Sequence, residues 1–599
     1  MNPRFASLAT GLATAALLAG CAATAPGPTQ TPAPTEPVTV RVIGFNDFHG
    51  NLEPAGLTLP WPDPANKERT LRLAAGGAAN LAGLVQALRA GAKHSIVVSS
   101  GDLIGGTPLI SALFLHESTV DVMNRIGLDI ATPGNHEFDA GREELLRVMG
   151  GGCRANVQDP NLQSCPLGSH APARFPHFSA NIETADGKTL FPASIVRDFG
   201  GVKVGFIGAV TRSTPNIVVP SGVAGLKFTD EADGINREAA RLSAQGVKAL
   251  VAVIHEGGET GTPGLPLEWN DVGCPRPRGA IFDIVKRLAP EIDIVFSAHT
   301  HQGYRCVVEG RAVLQATALG RGVSVADLAI DPKTGDIDRT KTQHRNLPVF
   351  NERSDATLKA AILAAEPEPW ASALKAAQPS AAVAERVAAY AAAAAPRAQR
   401  PVGRIAGNFD RSARSDASAG RLIADAQWAA TRAPERGGAE FALMNPGGVR
   451  TDLRCVGGAA LPCTVSYGEV FAMQPFGNSL VVMTLTGAEL KQMLEDQQAP
   501  GRERPSFLIP SSSLTYEWKA SAPHGQRVQN LRIAGQPVAP ERNVRFTVNS
   551  FLAEGGDGVR MLPTGRNRLG GAQDVDALTA FLVANTPAPD PTPRITLLD

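Results

Sequence analysis

Two rhythms alternate along this chain. Short apolar runs with the character of buried strands are followed by segments in which apolar residues recur at helical spacing. Residues 41–48, 95–100, 129–132, 178–181, 202–210, 249–255 and 292–297 read as strands. Residues 78–90, 109–115, 140–149, 231–244 and 281–288 read as helices, with one more from 117 up to the strand at 129. The alternation predicts an α/β fold with two packed sheets or one mixed sheet. The proline-rich stretch 52–70 around Trp61 predicts an irregular insert.

From 353 to 396 the pattern is helical and alanine-rich, broken at Pro367, Pro369 and Pro379. Residues 381–395 predict a helix between two domains, a natural hinge. Strand and helix patterns then return: a strand at 402–406, a helix at 420–431, strands at 441–444, 479–485 and 543–548, and a helix at 487–495. With 599 residues the chain exceeds what one core supports. The expected division is 39–350, a helical linker 351–396, a second domain 397–587, and a mostly irregular tail 588–599.

The first twenty residues read as an export signal, with Arg4 ahead of an apolar stretch at 8–18 that is too short to span a membrane comfortably. Leu18-Ala19-Gly20-Cys21 resembles the bacterial lipoprotein processing box, which implies removal of 1–20 and lipidation of Cys21. Ala22 in place of aspartate implies, by the same resemblance, sorting to the outer membrane, with the folded domains in the periplasm or at the cell surface. Residues 21–38, dominated by proline and threonine, would form an extended tether.

Charge removes one class of partner. Lys plus Arg equals Asp plus Glu at 57 each, so no basic surface argues for nucleic acid. The six cysteines after Cys21 fall into three local pairs, Cys153/Cys165, Cys274/Cys306 and Cys455/Cys463. This is the pattern of loop-stapling disulfides in an oxidising compartment, though six cysteines allow other connectivities. None has CxxC spacing.

The candidate chemistry sits at strand ends. Asp47, His49, Asp102, Asn135, His255, His299 and His301 each follow a predicted strand on the side where open α/β sheets bind ligands. One such histidine is usually a hydrogen-bonded turn residue. Four among only eleven histidines in the chain are hard to assign to chance. Seven ligands are too many for one zinc, but one aspartate bridging two ions with three further ligands apiece uses them all.

Asp47-x-His49, Gly101-Asp102, Gly134-Asn-His-Glu137 and His299-x-His301 resemble the signature of calcineurin-like metallophosphoesterases. With the stretches 445–450 and 551–557, the layout is similar to secreted bacterial and animal 5'-nucleotidases. The resemblance implies a four-layer α/β/β/α domain followed by a smaller α/β domain. It also implies two divalent ions (Zn, Mn, Fe or Co), one held by Asp47, His49, Asp102 and His301, the other by Asp102, Asn135, His255 and His299. His136, oriented by Asp139, would face the phosphate. Phe476 and Phe551 would sandwich the base, Asp557 would bind the ribose, and Asn445 and Arg450 would engage base, sugar or phosphate. Arg411 or Arg414 would reach a phosphate from the stretch 410–420, which departs from the family by lacking an asparagine and by its shorter spacing to Gly420. Pro446, inside the 445–450 loop, is a second departure.

The implied activity is hydrolysis of nucleoside 5'-monophosphates. The alternative is a 2',3'-cyclic-nucleotide phosphodiesterase, or a pyrophosphatase of NAD or UDP-sugar type, using the same metals. A surface lipoprotein that keeps the fold only for binding would have lost ligands, and none is missing.

Overall fold

The computed structural model describes residues 36–599, apart from residue 55 and residues 158–161, 262–267, 414, 456–459 and 499–504. The export signal, Cys21, most of the tether and Arg414 therefore lie outside the described residues.

The strand Val38–Phe45 shows how the first half is built. Val40 and Val42 face one way and Ile43 and Phe45 the other, so both faces are buried. It sits mid-sheet in the order Asp336–Ile337, Gly322–Asp331, Val38–Phe45, His94–Ser99, Ile130–Ala131, with Gln343–Pro348 also paired to Gly322–Asp331. A second six-stranded sheet runs Gly303–Val308, Arg311–Ala316, Ile292–Phe296, Ala249–His255, Val202–Val210, Ser194–Phe199. The inward faces meet through Val42, Val98, Phe206, Val251, Val253, Phe296 and Leu314. The outward residues Leu250, Ala252 and Ile254 pack under helices Glu231–Ala244 and Ala280–Arg287. Helices Ala78–Ala90 and Glu117–Ile126 cover the opposite side. The result is the expected four-layer α/β/β/α arrangement. The ligand-bearing strands, Val38–Phe45, His94–Ser99 and Ile130–Ala131 in the first sheet and Ala249–His255 and Ile292–Phe296 in the second, are parallel within each sheet, so their carboxyl ends collect on one rim.

The second half has a five-stranded sheet in the order Ile509–Pro510, Phe441–Met444, Asn543–Asn549, Ser479–Thr486, Arg566–Gln573. Helices Ser418–Thr431 and Asp574–Ala584 pack on one face. Helix Gly487–Glu495 and a four-stranded sheet pack on the other. Helix Ala381–Ala398 joins the halves without standing free. Its Val387, Tyr390 and Ala394 are buried in an apolar core that continues from Ile43 to Phe471.

Two expectations need correction. Residues 58–74 form a hairpin, Thr58–Asp63 with Asn66–Ala74, not an irregular insert. Pro60 and Pro62 are tolerated because that strand has a partner on one side only. The hairpin packs Leu59, Leu73 and Trp61 around Trp269. Residues 178–181 are not a strand; the Phe178 backbone bonds to Ala131 and that of Ala180 to Gly208, and the strand is Ile182–Thr184. A Cβ at Gly208 would lie 2.3 Å from the Phe178 carbonyl oxygen, so that glycine permits the crossing. The tail is mostly irregular as expected, with one short strand, Ile595–Leu597, paired in parallel with Leu514–Trp518. All three cysteine pairs form as expected.

One buried carboxyl makes stability depend on pH. Burial pushes Asp574 up to about 7, even though the Val575 N–H and the Asn478 side chain bond to it. The folded form thus holds a proton that the unfolded chain releases near 3.8. Its contribution is complete below that value and is lost as pH rises to about 7, by up to about 4 kcal/mol. Urea unfolding midpoints from pH 4 to 8 should fall less steeply in Asp574→Asn than in the parent. Equal slopes would contradict the assignment.

Candidate metal and substrate site

Five of the seven candidate ligands leave their strands through strained backbone. Asp47, His49, Asp102, His299 and His301 have φ of 47°, 45°, 53°, 71° and 57°, in the left-handed region that non-glycine residues avoid. Each costs about 1–3 kcal/mol and persists only where the surroundings impose it. Close approach does the same work elsewhere. A Cβ at Gly134 would lie 2.1 Å from the Asp102 Oδ1, so only glycine lets the two ligand loops touch.

Those turns bring the side chains together. His49 Nε2 lies 3.1 Å from His301 Nε2 and 3.5 Å from Asp102 Oδ2. His255 Nε2 is 3.2 Å from both Asp102 Oδ2 and Asn135 Oδ1. His301 Nε2 is 3.4 Å from Asp47 Oδ1, and the Asp47 carboxylate accepts the His299 N–H. Asp47, His49 and His301 form one cluster, and Asp102, His255 and His299 another. Asp102 also meets His49 and His136, linking the two.

The donor set fits a pair of divalent cations. His49 Nδ1 faces the Gly105 carbonyl and His255 Nδ1 the Ser100 carbonyl, each at 2.7 Å. A carbonyl only accepts, so those nitrogens carry the protons and the Nε2 lone pairs point inward. Asp102 Oδ1 accepts the His136 N–H, whereas its Oδ2 is buried with no hydrogen-bond partner. Converging lone pairs around an orphaned carboxylate oxygen call for positive charge. With protons alone, that charge falls on His255. Burial opposes it, but Asp102 and Asp47 draw the imidazole up to about 10. Burial likewise opposes ionisation of Asp102, yet His255, His136 and His49 hold it well below the usual carboxylate range.

Sequence reasoning quoted Glu137 without giving it a role. Its carboxylate accepts the backbone N–H groups of Asp102, Leu103, Ile104 and Gly134, clamping one ligand loop to the other. Burial and the nearby Asp102 push it up to about 7. An acidic residue directly after the Asn-His pair was the available signal.

His136 Nδ1 lies 2.8 Å from Asp139 Oδ2, which leaves Nε2 free. Burial favours the neutral ring, but Asp139 and Asp102 outweigh it and raise the imidazole above its ordinary value. The His136 ring stacks on Phe476 at 5.7 Å, and the Arg450 guanidinium lies over the Phe476 ring at 5.6 Å from its centroid.

A cavity of about 240 Å³ joins the halves. Asn135, His136, Asp139 and His299 line it from one side, and Asn445, Arg450, Phe476, Phe551 and Asp557 from the other. Asn445 Nδ2 donates to Asp557 Oδ2 at 2.8 Å and its oxygen accepts from Asn549, which fixes the amide orientation. Arg411 does not line the cavity. It bonds to the Arg450 carbonyl and places a second cation beside that residue. The pattern gave no sign of Ile217, Val218 and Val219, an apolar lip from the first half that closes the cavity near the Asp557 turn.

Residues 40–303 match the family model for calcineurin-like phosphoesterases, and residues 401–564 match that for the 5'-nucleotidase C-terminal domain. The chain is a calcineurin-like phosphoesterase joined to a 5'-nucleotidase C-terminal domain. Endonuclease YhcR of Bacillus subtilis is 30% identical over 556 residues, which is 92% of this chain but 40% of the relative. The chain thus spans well under half of that protein. A probable 5'-nucleotidase of Treponema pallidum is 26% identical over 582 residues, 87% of each chain. Among solved structures, a 5'-nucleotidase precursor from Thermus thermophilus superposes with a TM-score of 0.71 at 24% identity, covering 94% of this chain and 99% of that one. The phosphoesterase half supplies the metal clusters, and the 5'-nucleotidase C-terminal half supplies the aromatic and amide wall of the cavity.

Proposed function

We propose that this protein hydrolyses nucleoside 5'-monophosphates to nucleoside and phosphate at a two-metal centre. The observation that carries the reading is the single cavity in which His136 and the ligands Asn135 and His299 face Phe476, Phe551, Asn445, Arg450 and Asp557. In this reading Asp47, His49, Asp102 and His301 hold one ion, and Asp102, Asn135, His255 and His299 hold the other. The ions, when bound, lower the pKa of a water and polarise the phosphoryl oxygens. Arg450, backed by Arg411, draws the phosphate dianion between the halves. His136, whose Nδ1–H donates a hydrogen bond to the Asp139 carboxylate, presents Nε2–H to the phosphoryl group and donates to the departing 5'-oxygen. Phe476 and Phe551 take the base, and Asp557, tied to Asn445, takes the ribose hydroxyls.

Purified protein loaded with Mn²⁺ or Zn²⁺ should release phosphate from AMP and stop when the metal is chelated. Absence of activity on every nucleoside monophosphate would sink the reading. Phe476→Ala and Phe551→Ala should each raise KM for AMP about 5- to 150-fold, the loss of one stacking contact, with a smaller effect on kcat. An unchanged KM would remove that ring from the base site.

We further propose that the protein is exported and anchored through lipidated Cys21. Support comes from the processing box around Cys21 and from three disulfides suited to an oxidising compartment. Among the described residues no helix is long and apolar enough to cross a membrane. Mass spectrometry of the mature N-terminus tests this directly, and an unmodified Cys21 or a retained 1–20 segment would overturn it.

A further inference from the structure

The apolar lip at 217–219 touches two things at once. Helix Thr214–Ile217, which leads into it, lies beside the Gly556–Gly558 turn that carries Asp557. On the other side the lip is packed onto the chain that holds His136. Val218 lines the cavity and is also buried in an apolar cluster with Val223 and Phe138. Phe138 stands in sequence between His136 and Asp139, is fully buried, and has the Phe228 ring perpendicular to its own at 5.5 Å.

The backbones meet as well. A Cβ at Gly222 would lie 3.0 Å from the Gly141 Cα and 3.3 Å from the Phe138 carbonyl oxygen, so the segment after the lip rests directly on the turn that carries His136 and Asp139. A close-packed interior transmits a displacement and does not absorb it. The Asp557 turn, the lip, Phe138 and His136 therefore form one continuous line of contact from the second half of the chain to the imidazole.

We propose that Phe138 is a positioning residue for His136 and that Val218 couples it to the substrate. A nucleoside seated between the lip and Asp557 presses the lip onto Phe138 and so sets the imidazole for reaction. The inference rests on the nucleotide-hydrolase reading above and deepens it, because it makes the nucleoside a determinant of rate and not only of binding. Contact energy from a part of the substrate that does not react is then expressed in kcat. A phosphate ester without a nucleoside leaves the lip unloaded, and its rate does not draw on this coupling.

The test compares AMP with p-nitrophenyl phosphate, which has no nucleoside and a leaving group that needs no proton, on the metal-loaded full chain. Phe138→Leu should lower kcat for AMP about 10- to 100-fold, the cost of a small misplacement, with KM for AMP changed less than about threefold. The same variant should lose far less rate on p-nitrophenyl phosphate. Val218→Ala breaks the coupling from the lip side and should show the same split if Phe138→Leu does not fold. Val218→Ile keeps the contact and should retain the AMP rate within about threefold. A rise in KM for AMP at unchanged kcat would make the lip a cavity wall only, and equal losses on the two esters would make Phe138 a folding residue. Either result, or parental rates in both variants, would overturn the coupling and leave the proposed function standing. Absence of hydrolysis of every nucleoside monophosphate by the parent would overturn both readings.

Discussion

Asp102→Asn is expected to lower phosphate release from AMP by roughly a thousandfold or more, the scale on which removal of one key electrostatic group acts. The substitution keeps the size of the side chain, and the amide oxygen still accepts the His136 N–H. What it removes is the orphaned Oδ2, replaced by an NH₂ that faces the Nε2 lone pairs of His49 and His255. An amide proton donated to those nitrogens substitutes for the missing cation. The metal-free variant should therefore melt no lower than the metal-free parent while elemental analysis finds fewer than two ions per chain. Full metal occupancy with parental rates would show that Asp102 does not bridge.

His136→Gln is expected to cost about 10²- to 10⁴-fold in kcat, the usual worth of a positioned acid, with both ions retained. Asp139→Asn should cost less, about 10- to 100-fold, because it disturbs only the orientation and charge of the imidazole. The leaving group separates the roles. Adenosine departs from AMP as a basic 5'-alkoxide that needs the Nε2 proton, whereas p-nitrophenolate leaves without one. Both variants should lose far more rate on AMP than on p-nitrophenyl phosphate. Equal losses on the two esters would assign His136 to binding the phosphate and not to proton transfer.

The centre was legible because its geometry is repetitive. Each ligand follows a buried strand, and a buried strand announces itself by apolar residues on both faces. The loops after those strands are short enough that sequence position and spatial position agree. The same local reasoning failed at Thr58–Ala74, where Pro60 and Pro62 argue against a strand unless its outer edge is known to lack a partner. It failed at Ile595–Leu597, whose three residues carry no periodicity and whose partner, Leu514–Trp518, lies about eighty positions away. The lip at 217–219 was equally silent, because an apolar residue facing a cavity and one facing a core look alike until the second half of the chain is in place. Phe476 and Phe551 entered through the resemblance to 5'-nucleotidases, and both line the cavity, Phe551 from the short helix Ser550–Ala553.

The buried seam along helix Ala381–Ala398 bears on how the molecule comes apart. Val387, Tyr390 and Ala394 are shared between the layers around Ile43 and those around Phe471, so neither half can open without stripping the other of covered surface. Two halves joined by a bare tether would melt independently. Here the seam couples them, and denaturation should proceed as one cooperative transition, with calorimetric and van't Hoff enthalpies in agreement for the whole chain.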